Sequence, residues 1–304
     1  MILDGGLGVE LTQRGFVCST ALWSGEAILT RPELLVDVHR AYLAAGAQTI
    51  ASATYQLSHS ALRALGHDDA AIDEIFGRGV ALAREAIAAH RTATGVRGKY
   101  LVAGSLGPYG ATLVGGSEYS STPYLETHAL YAFHLERARA LARAEPDIFL
   151  FETIASRAEG RVVAQVARDL GLRNVWISFA CADDAHTYAG DRLADIAAEF
   201  DALDAVDVIG INCTAPGAIA PLVRALRAAT GKAIAVCPNL GQYWESPAHA
   251  QAAGTTEAAL LAGVPEWLAL GVDHIGGCCG AGPDTIRALA RVVADGMSAP
   301  AARR

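Results

Sequence analysis

The sequence predicts a single-domain α/β protein built as a (β/α)8 barrel of the TIM type, and three observations carry that prediction. Eight short apolar runs, each closed by Gly, Asn, Asp or Pro, recur along the chain. Most are continuously apolar, as in Ile148-Phe149-Leu150-Phe151 or Val208-Ile209-Gly210-Ile211, which suits parallel strands covered on both faces. Amphipathic stretches separate them with no composition shift or Pro/Ser-rich linker, and 304 residues is about the length of one such barrel.

The first strand is the shortest, Ile2-Leu3 before Asp4. The next seven are read at 47–55, 100–104, 147–152, 174–180, 207–212, 232–237 and 273–277. The clearest helix, 32–43, opens on Pro32 and closes at Gly46, the usual asymmetry of helix ends. Others are expected at 123–144, 157–170, 218–229, 255–270 and 283–294. The barrel domain is placed at 1–296, with 297–304 as a disordered tail. An open, doubly wound sheet is the rival arrangement. Its nucleotide fingerprint is not completed, since Leu11 stands where Gly6-Leu7-Gly8 would require a third glycine. The Gly-rich stretches 104–110 and 115–117 lack the Gly-Lys-Ser/Thr ending of a phosphate loop.

Composition excludes several classes of function. Hydrophobic residues make up 52% and charged ones 18%, enough apolar material for a large core and too little charge for disorder. Lys plus Arg number 24 against 32 for Asp plus Glu, a formal charge of -8, and no basic run precedes the terminal Ala-Ala-Arg-Arg, so nucleic acid is a poor partner. Mean hydropathy is +0.27, yet charge, Gly or Pro interrupts every apolar stretch before the roughly 18 residues a membrane span needs. The start, Met-Ile-Leu-Asp-Gly-Gly, has neither the cationic nor the apolar part of a signal peptide. A cytoplasmic protein is expected, its six cysteines being thiols or metal ligands.

In such a barrel the chemistry gathers at the C-terminal ends of the strands. Those ends read Asp4-Gly5-Gly6, Thr54-Tyr55-Gln56, Glu152-Thr153, Asn212-Cys213, Pro238-Asn239 and Gly276-Gly277-Cys278-Cys279-Gly280. Two carboxylates and three thiols therefore emerge at one mouth. Adjacent cysteines are poorly placed to bond each other, whereas flanking glycines let both sulfurs turn one way, which suits a metal. With Cys213 the pair makes three thiolates, the count of a catalytic Zn2+ that keeps one position open. The competing reading is that these are small buried hydrophobes. Cys18, Cys181 and Cys237 have no partner spacing, and the histidines, His186 and His274 included, show no ligand spacing. A thiolate-rich zinc is a weak Lewis acid toward water but binds and deprotonates a substrate thiol while leaving it nucleophilic. The partner of that thiol is then an electrophile such as an activated methyl group.

The chain resembles the homocysteine S-methyltransferases, most closely the stand-alone bacterial and plant type that takes its methyl group from S-methylmethionine or S-adenosylmethionine. The matching stretches begin with Asp4-Gly5-Gly6 and Glu10-Leu11, then Leu22-Trp23-Ser24, Pro32-Glu33-Leu34 with His39, and Ala51 through Gln56. They continue with Ala103 through Gly110, Gly116-Ser117-Glu118-Tyr119, Glu152-Thr153, Gly210 through Cys213, Pro238 through Gly241, and Gly276 through Gly280. The resemblance implies a zinc held by Cys213, Cys278 and Cys279, with the sulfur of L-homocysteine completing the tetrahedron. It implies that Asp4 and Glu152 bind the homocysteine ammonium, and that backbone amides near Gly5, Gly6 and Thr54 receive its carboxylate. Without it, Asp4 reads equally as a turn former and Glu152 as a helix cap. Transfer from a sulfonium donor annihilates charge, which a dry site favours. Tyr55, Tyr109 and Tyr119 are candidates to hold the sulfonium by cation–π contact, with Asn212 beside them in the donor pocket. The aromatic loop Gln242-Tyr243-Trp244 is expected to shape that pocket.

Three alternatives remain. A betaine-type homocysteine methyltransferase would carry a longer C-terminal extension. A seleno-amino-acid methyltransferase would use the same site. A thiolate-zinc redox sensor would have no use for the two carboxylates. The cobalamin-dependent methionine synthases share the barrel, but their further modules are absent from 304 residues. Monomer and dimer are both compatible with the sequence.

Overall fold

The computed structural model describes residues 1–113, 117–120, 125–241 and 255–298. Gly115, Gly116, Pro123, the loop Gln242-Tyr243-Trp244 and the last six residues of the expected tail lie outside these.

Seven parallel strands run in sequence order: β1 (Thr49–Ala51), β2 (Leu101–Leu106), β3 (Ile148–Ile154), β4 (Val175–Phe179), β5 (Val208–Asn212), β6 (Ala233–Cys237) and β7 (His274–Ile275). The eighth is the expected N-terminal run, reduced to two bridges. Ile2 pairs in parallel with Ile275 and Leu3 with Thr49, so the sheet closes on itself. The Leu3 N–H donates to Ile275 O at 2.8 Å and the Asp4 N–H to Thr49 O at 3.0 Å.

Eleven helices lie among the described residues: α1 (Leu7–Gln13), α2 (Glu26–Thr30), α3 (Pro32–Ala45), α4 (His59–Ala64), α5 (Asp69–Thr94), α6 (Thr127–Ala142), α7 (Arg157–Asp169), α8 (Leu193–Asp201), α9 (Pro216–Ala229), α10 (Glu257–Ala269) and α11 (Pro283–Ser298). Eight of them, α3 and α5 through α11, each follow a strand and complete eight β/α units. Of these, α5 and α8 have no counterpart among the six helices expected from the sequence. Helix α5 is capped by the Asp68 side chain, which accepts from Ala71 N–H, and by left-handed Gly95. Its internal Gly79 weakens the helical pattern but lets the helix pack close: a Cβ there would lie 2.7 Å from Thr54 Cγ2.

The main core fills the layer between strands and helices. A second, smaller cluster of Leu3, Ala103, Ile148, Trp176, Val208 and Ala235 joins residues from the strands. The Trp176 ring stacks on His274 with centroids 4.4 Å apart, which gives that histidine a packing role. Among the described residues no helix is long and apolar enough to cross a membrane.

Candidate active site and metal centre

A cavity of about 530 Å³ collects strand ends from opposite sides of the ring, including Asp4, Glu152, Cys213, Cys278 and Cys279. Its lining also holds Leu3, Leu150 and Trp176.

The cysteines arrive from two places. Cys213 follows β5 with φ +48, a left-handed conformation that a side-chain-bearing residue adopts only when its surroundings impose it. Cys278 and Cys279 sit in the turn after β7, anchored by Cys278 N–H to Pro238 O at 2.9 Å and Leu240 N–H to Cys279 O at 2.8 Å. The three sulfurs lie within 4.8 Å of one another. Cys213 and Cys279 are 3.9 Å apart at sulfur, close to the roughly 3.8 Å edge of a tetrahedron with metal–sulfur bonds of about 2.3 Å. The donor set fits a thiophilic metal. Cys213 and Cys278 are joined as a disulfide, where the sequence leads one to expect the six cysteines as thiols or metal ligands. Their Cα atoms are 5.6 Å apart, within the ordinary disulfide range, so two side chains aimed at one point reach bonding contact. Metal binding by all three requires that bond to be reduced.

The carboxylates are deeply placed. Asp4 is buried and its Oδ2 accepts from Ala51 N–H at 2.8 Å. Burial, with the Glu152 charge adding to it, pushes the Asp4 carboxyl up to about 8. Burial also raises the Glu152 carboxyl, although the Ser105 hydroxyl donates to its Oε1. Cys279 is pushed up to about 12, chiefly by burial and then by Glu118 and Glu152.

Gly5 and Gly6 pass close under the cysteine turn. A Cβ on Gly5 would overlap Ala281 O, and one on Gly6 would lie 2.8 Å from Cys278 O. Gly6 N–H donates to Ala281 O at 3.0 Å and is committed, whereas Gly5 N–H makes no hydrogen bond among the described residues.

Three expected site residues stand elsewhere. The Thr54 side chain is fully buried off the cavity, its hydroxyl donating to Ser105 O at 2.7 Å, and it packs toward α5. Tyr109 does not line the cavity either. Its ring meets Phe133 edge-on, with centroids 5.1 Å apart. Asn212 lies behind the wall, where Oδ1 accepts from Thr153 N–H and Nδ2 donates to Thr153 Oγ1, both at 2.8 Å. It braces Thr153, another left-handed residue with φ +62, whose side chain hydrogen-bonds the Tyr55 hydroxyl. Tyr55 and Tyr119 do line the cavity, and Tyr119 hydrogen-bonds Cys279.

The lining adds Trp23, Ser105, Glu118, Cys18 and Cys237, which were not singled out as site residues. Trp23, Ser105 and Glu118 stand inside stretches that carry the family resemblance. Cys237 ends β6 opposite Asn212, so its place at a strand end was the available signal.

A barrel mouth that assembles three sulfurs able to share a metal, beside the carboxylates of Asp4 and Glu152, has the make-up of a metal–thiolate site. The sequence profile described as "Homocysteine S-methyltransferase" matches residues 1–293. Homocysteine S-methyltransferase 4 of Zea mays is 37% identical over 96% of this chain and 89% of its own length. The selenocysteine methyltransferase of Astragalus bisulcatus is 30% identical over 98% and 93%. The homocysteine methyltransferase MmuM of Escherichia coli, in its metallated form, superimposes with a TM-score of 0.85 at 34% identity, covering 96% of this chain and 95% of that one. Its oxidised form gives the same TM-score. The chain belongs to the homocysteine S-methyltransferase family.

Proposed function

We propose that this enzyme transfers a methyl group from a sulfonium donor, S-methylmethionine or S-adenosylmethionine, to the thiol of L-homocysteine, with Zn2+ held by Cys213, Cys278 and Cys279. The observation that carries the reading is the convergence of three sulfurs within 4.8 Å in one cavity with two buried carboxylates that no Lys, Arg or His neutralises among the described lining residues.

Asp4 and Glu152 receive the homocysteine ammonium, which supplies the positive charge their burial lacks. The uncommitted Gly5 N–H is the donor available to the carboxylate. When bound, zinc on three thiolates supplies the Lewis acidity that holds the acceptor thiol as thiolate at neutral pH. The acceptor sulfur attacks the methyl carbon, the bond from that carbon to the donor sulfur breaks, and its electron pair stays with the donor, which leaves as a neutral thioether. Tyr55 and Tyr119 offer aromatic faces to the cation, and the apolar wall of Leu3, Leu150 and Trp176 limits water where charge disappears. The ligand set needs free thiols, which supports a reducing cytoplasm as the working compartment.

The test is methionine formation by reduced, zinc-loaded protein supplied with homocysteine and, in parallel, S-methylmethionine, S-adenosylmethionine or betaine. Turnover is expected with a sulfonium and not with betaine. No turnover with any donor, by protein carrying one bound zinc, would overturn the reading.

A further inference from the structure

The cavity lining contains a third carboxylate that the homocysteine ammonium does not account for. Glu118 stands on the short 3-10 turn Ser117–Tyr119 and lines the cavity beside Tyr119. It forms no ion pair and no hydrogen bond to another residue among those described, so it serves neither as a cap nor as a bridge. It is also outside the trio of sulfurs that could share a metal.

Glu118 shares the cavity lining with Tyr55, Tyr119 and Cys279. Its charge and that of Glu152 both fall on Tyr55 and Cys279, Glu118 acting the more strongly, while Glu152 also acts on Asp4. Tyr119, its chain neighbour, hydrogen-bonds Cys279. An acid and two tyrosines are therefore gathered beside the sulfur cluster, in the cavity where the methyl group passes, because the reacting sulfur and carbon need to approach to about 3–3.5 Å.

Building on the function proposed above, we propose that Glu118 determines donor specificity, its carboxylate receiving the positively charged sulfonium between the faces of Tyr55 and Tyr119. The consequence is particular to this chemistry. The sulfonium carries full charge when it binds and loses it as the methyl group leaves, so a carboxylate beside it favours the bound donor over the transition state. Glu118 therefore lowers the donor KM without raising kcat. The same contact weakens once the thioether has formed, which helps the spent donor to leave.

The experiment compares Glu118→Gln and Glu118→Asp with the parent enzyme, each reduced and zinc-loaded, varying S-methylmethionine at saturating homocysteine and the reverse. In Glu118→Gln the donor KM is expected to rise about tenfold or more, as for loss of one charge-assisted contact. The homocysteine KM should stay within about twofold and kcat should hold or increase. Glu118→Asp should recover part of the donor affinity. Trimethylsulfonium, a sulfonium with no ammonium, should inhibit the parent competitively against the donor and lose affinity in Glu118→Gln by the same factor. An unchanged donor KM, a fall in kcat at constant KM, or a failure of trimethylsulfonium to inhibit or to follow the substitution would overturn the assignment. In each of those cases the parent still makes methionine. If the parent makes none from any sulfonium, it is the proposed reaction that fails.

Discussion

Asp4 is placed where a carboxylate is costly to keep and useful to have. Its carboxyl titrates near 3.8 when unfolded and near 8 when folded, so between those values the folded chain holds more protons than the unfolded one. Stability therefore falls as pH rises through that window. Asp4→Asn removes the cost and can still accept from Ala51 N–H. Thermal unfolding without substrate should show the variant equal to the parent below about pH 4 and more stable by about 1–3 kcal/mol near pH 8, while its homocysteine KM rises at least tenfold. The same residue shows what a sequence yields at this scale. Asp4, Glu152 and the three cysteines were legible because strand ends in a barrel point their last residues at the mouth. The side chains of Thr54, Tyr109 and Asn212 turn away from the cavity: Thr54 lies in the turn past β1 and Tyr109 on the 3-10 turn past β2, where a motif names residues without fixing which one faces inward, while Asn212 ends β5 bonded to Thr153. Glu118 stands in a stretch that carries the family resemblance, yet nothing in the sequence reveals which acids share a cavity.

Helix α6 works as a brace for two active-site loops. Arg137 on it is fully buried, and its guanidinium donates to the carbonyls of Leu57, Gly107 and Tyr55 at 2.7, 2.7 and 2.6 Å. It also lies 4.6 Å from the centroid of the Phe133 ring. One turn earlier, His134 meets Glu159 Oε1 at 2.9 Å, and that oxygen accepts from Tyr109 N–H at 2.8 Å. Arg137→Met would leave the Leu57 and Gly107 carbonyls without a donor at about 1 kcal/mol or more each, the Tyr55 carbonyl keeping the Gly107 N–H, so chemical denaturation should show a loss of about 2 kcal/mol or more. Arg137→Lys should recover part of it. Elements, unlike facing, were largely legible: every strand fell within or beside its apolar run. Helix α3 ends two residues past its expected span, at Ala45, just before the glycine that closes it. Helix α5 was not legible because tertiary packing sustains it, Gly79 being there for the close approach to Thr54 and Ile28.

At the scale of the whole molecule the sulfur cluster ties together distant parts of the ring, since Cys213 and Cys278 are 65 positions apart. A metal bound only by the folded arrangement stabilises it by mass action. Zinc added after reduction should raise the melting temperature by several degrees and bind one ion per chain, measured by thermal scanning and metal analysis. Zinc added without reductant should do neither, and Cys279→Ser should abolish both effects. Beside that cluster the ring has its own junction, the two-residue run Ile2-Leu3, held to Ile275 on one flank and Thr49 on the other. Asp4 follows it directly. The barrel is thus a hoop fastened by a very small clasp, and the clasp carries Asp4, one of the two carboxylates proposed to receive the ammonium. Whatever cation settles against Asp4 also fastens the hoop, so amide exchange at Leu3 and Asp4 should slow when homocysteine binds, making the seam a gauge of occupancy.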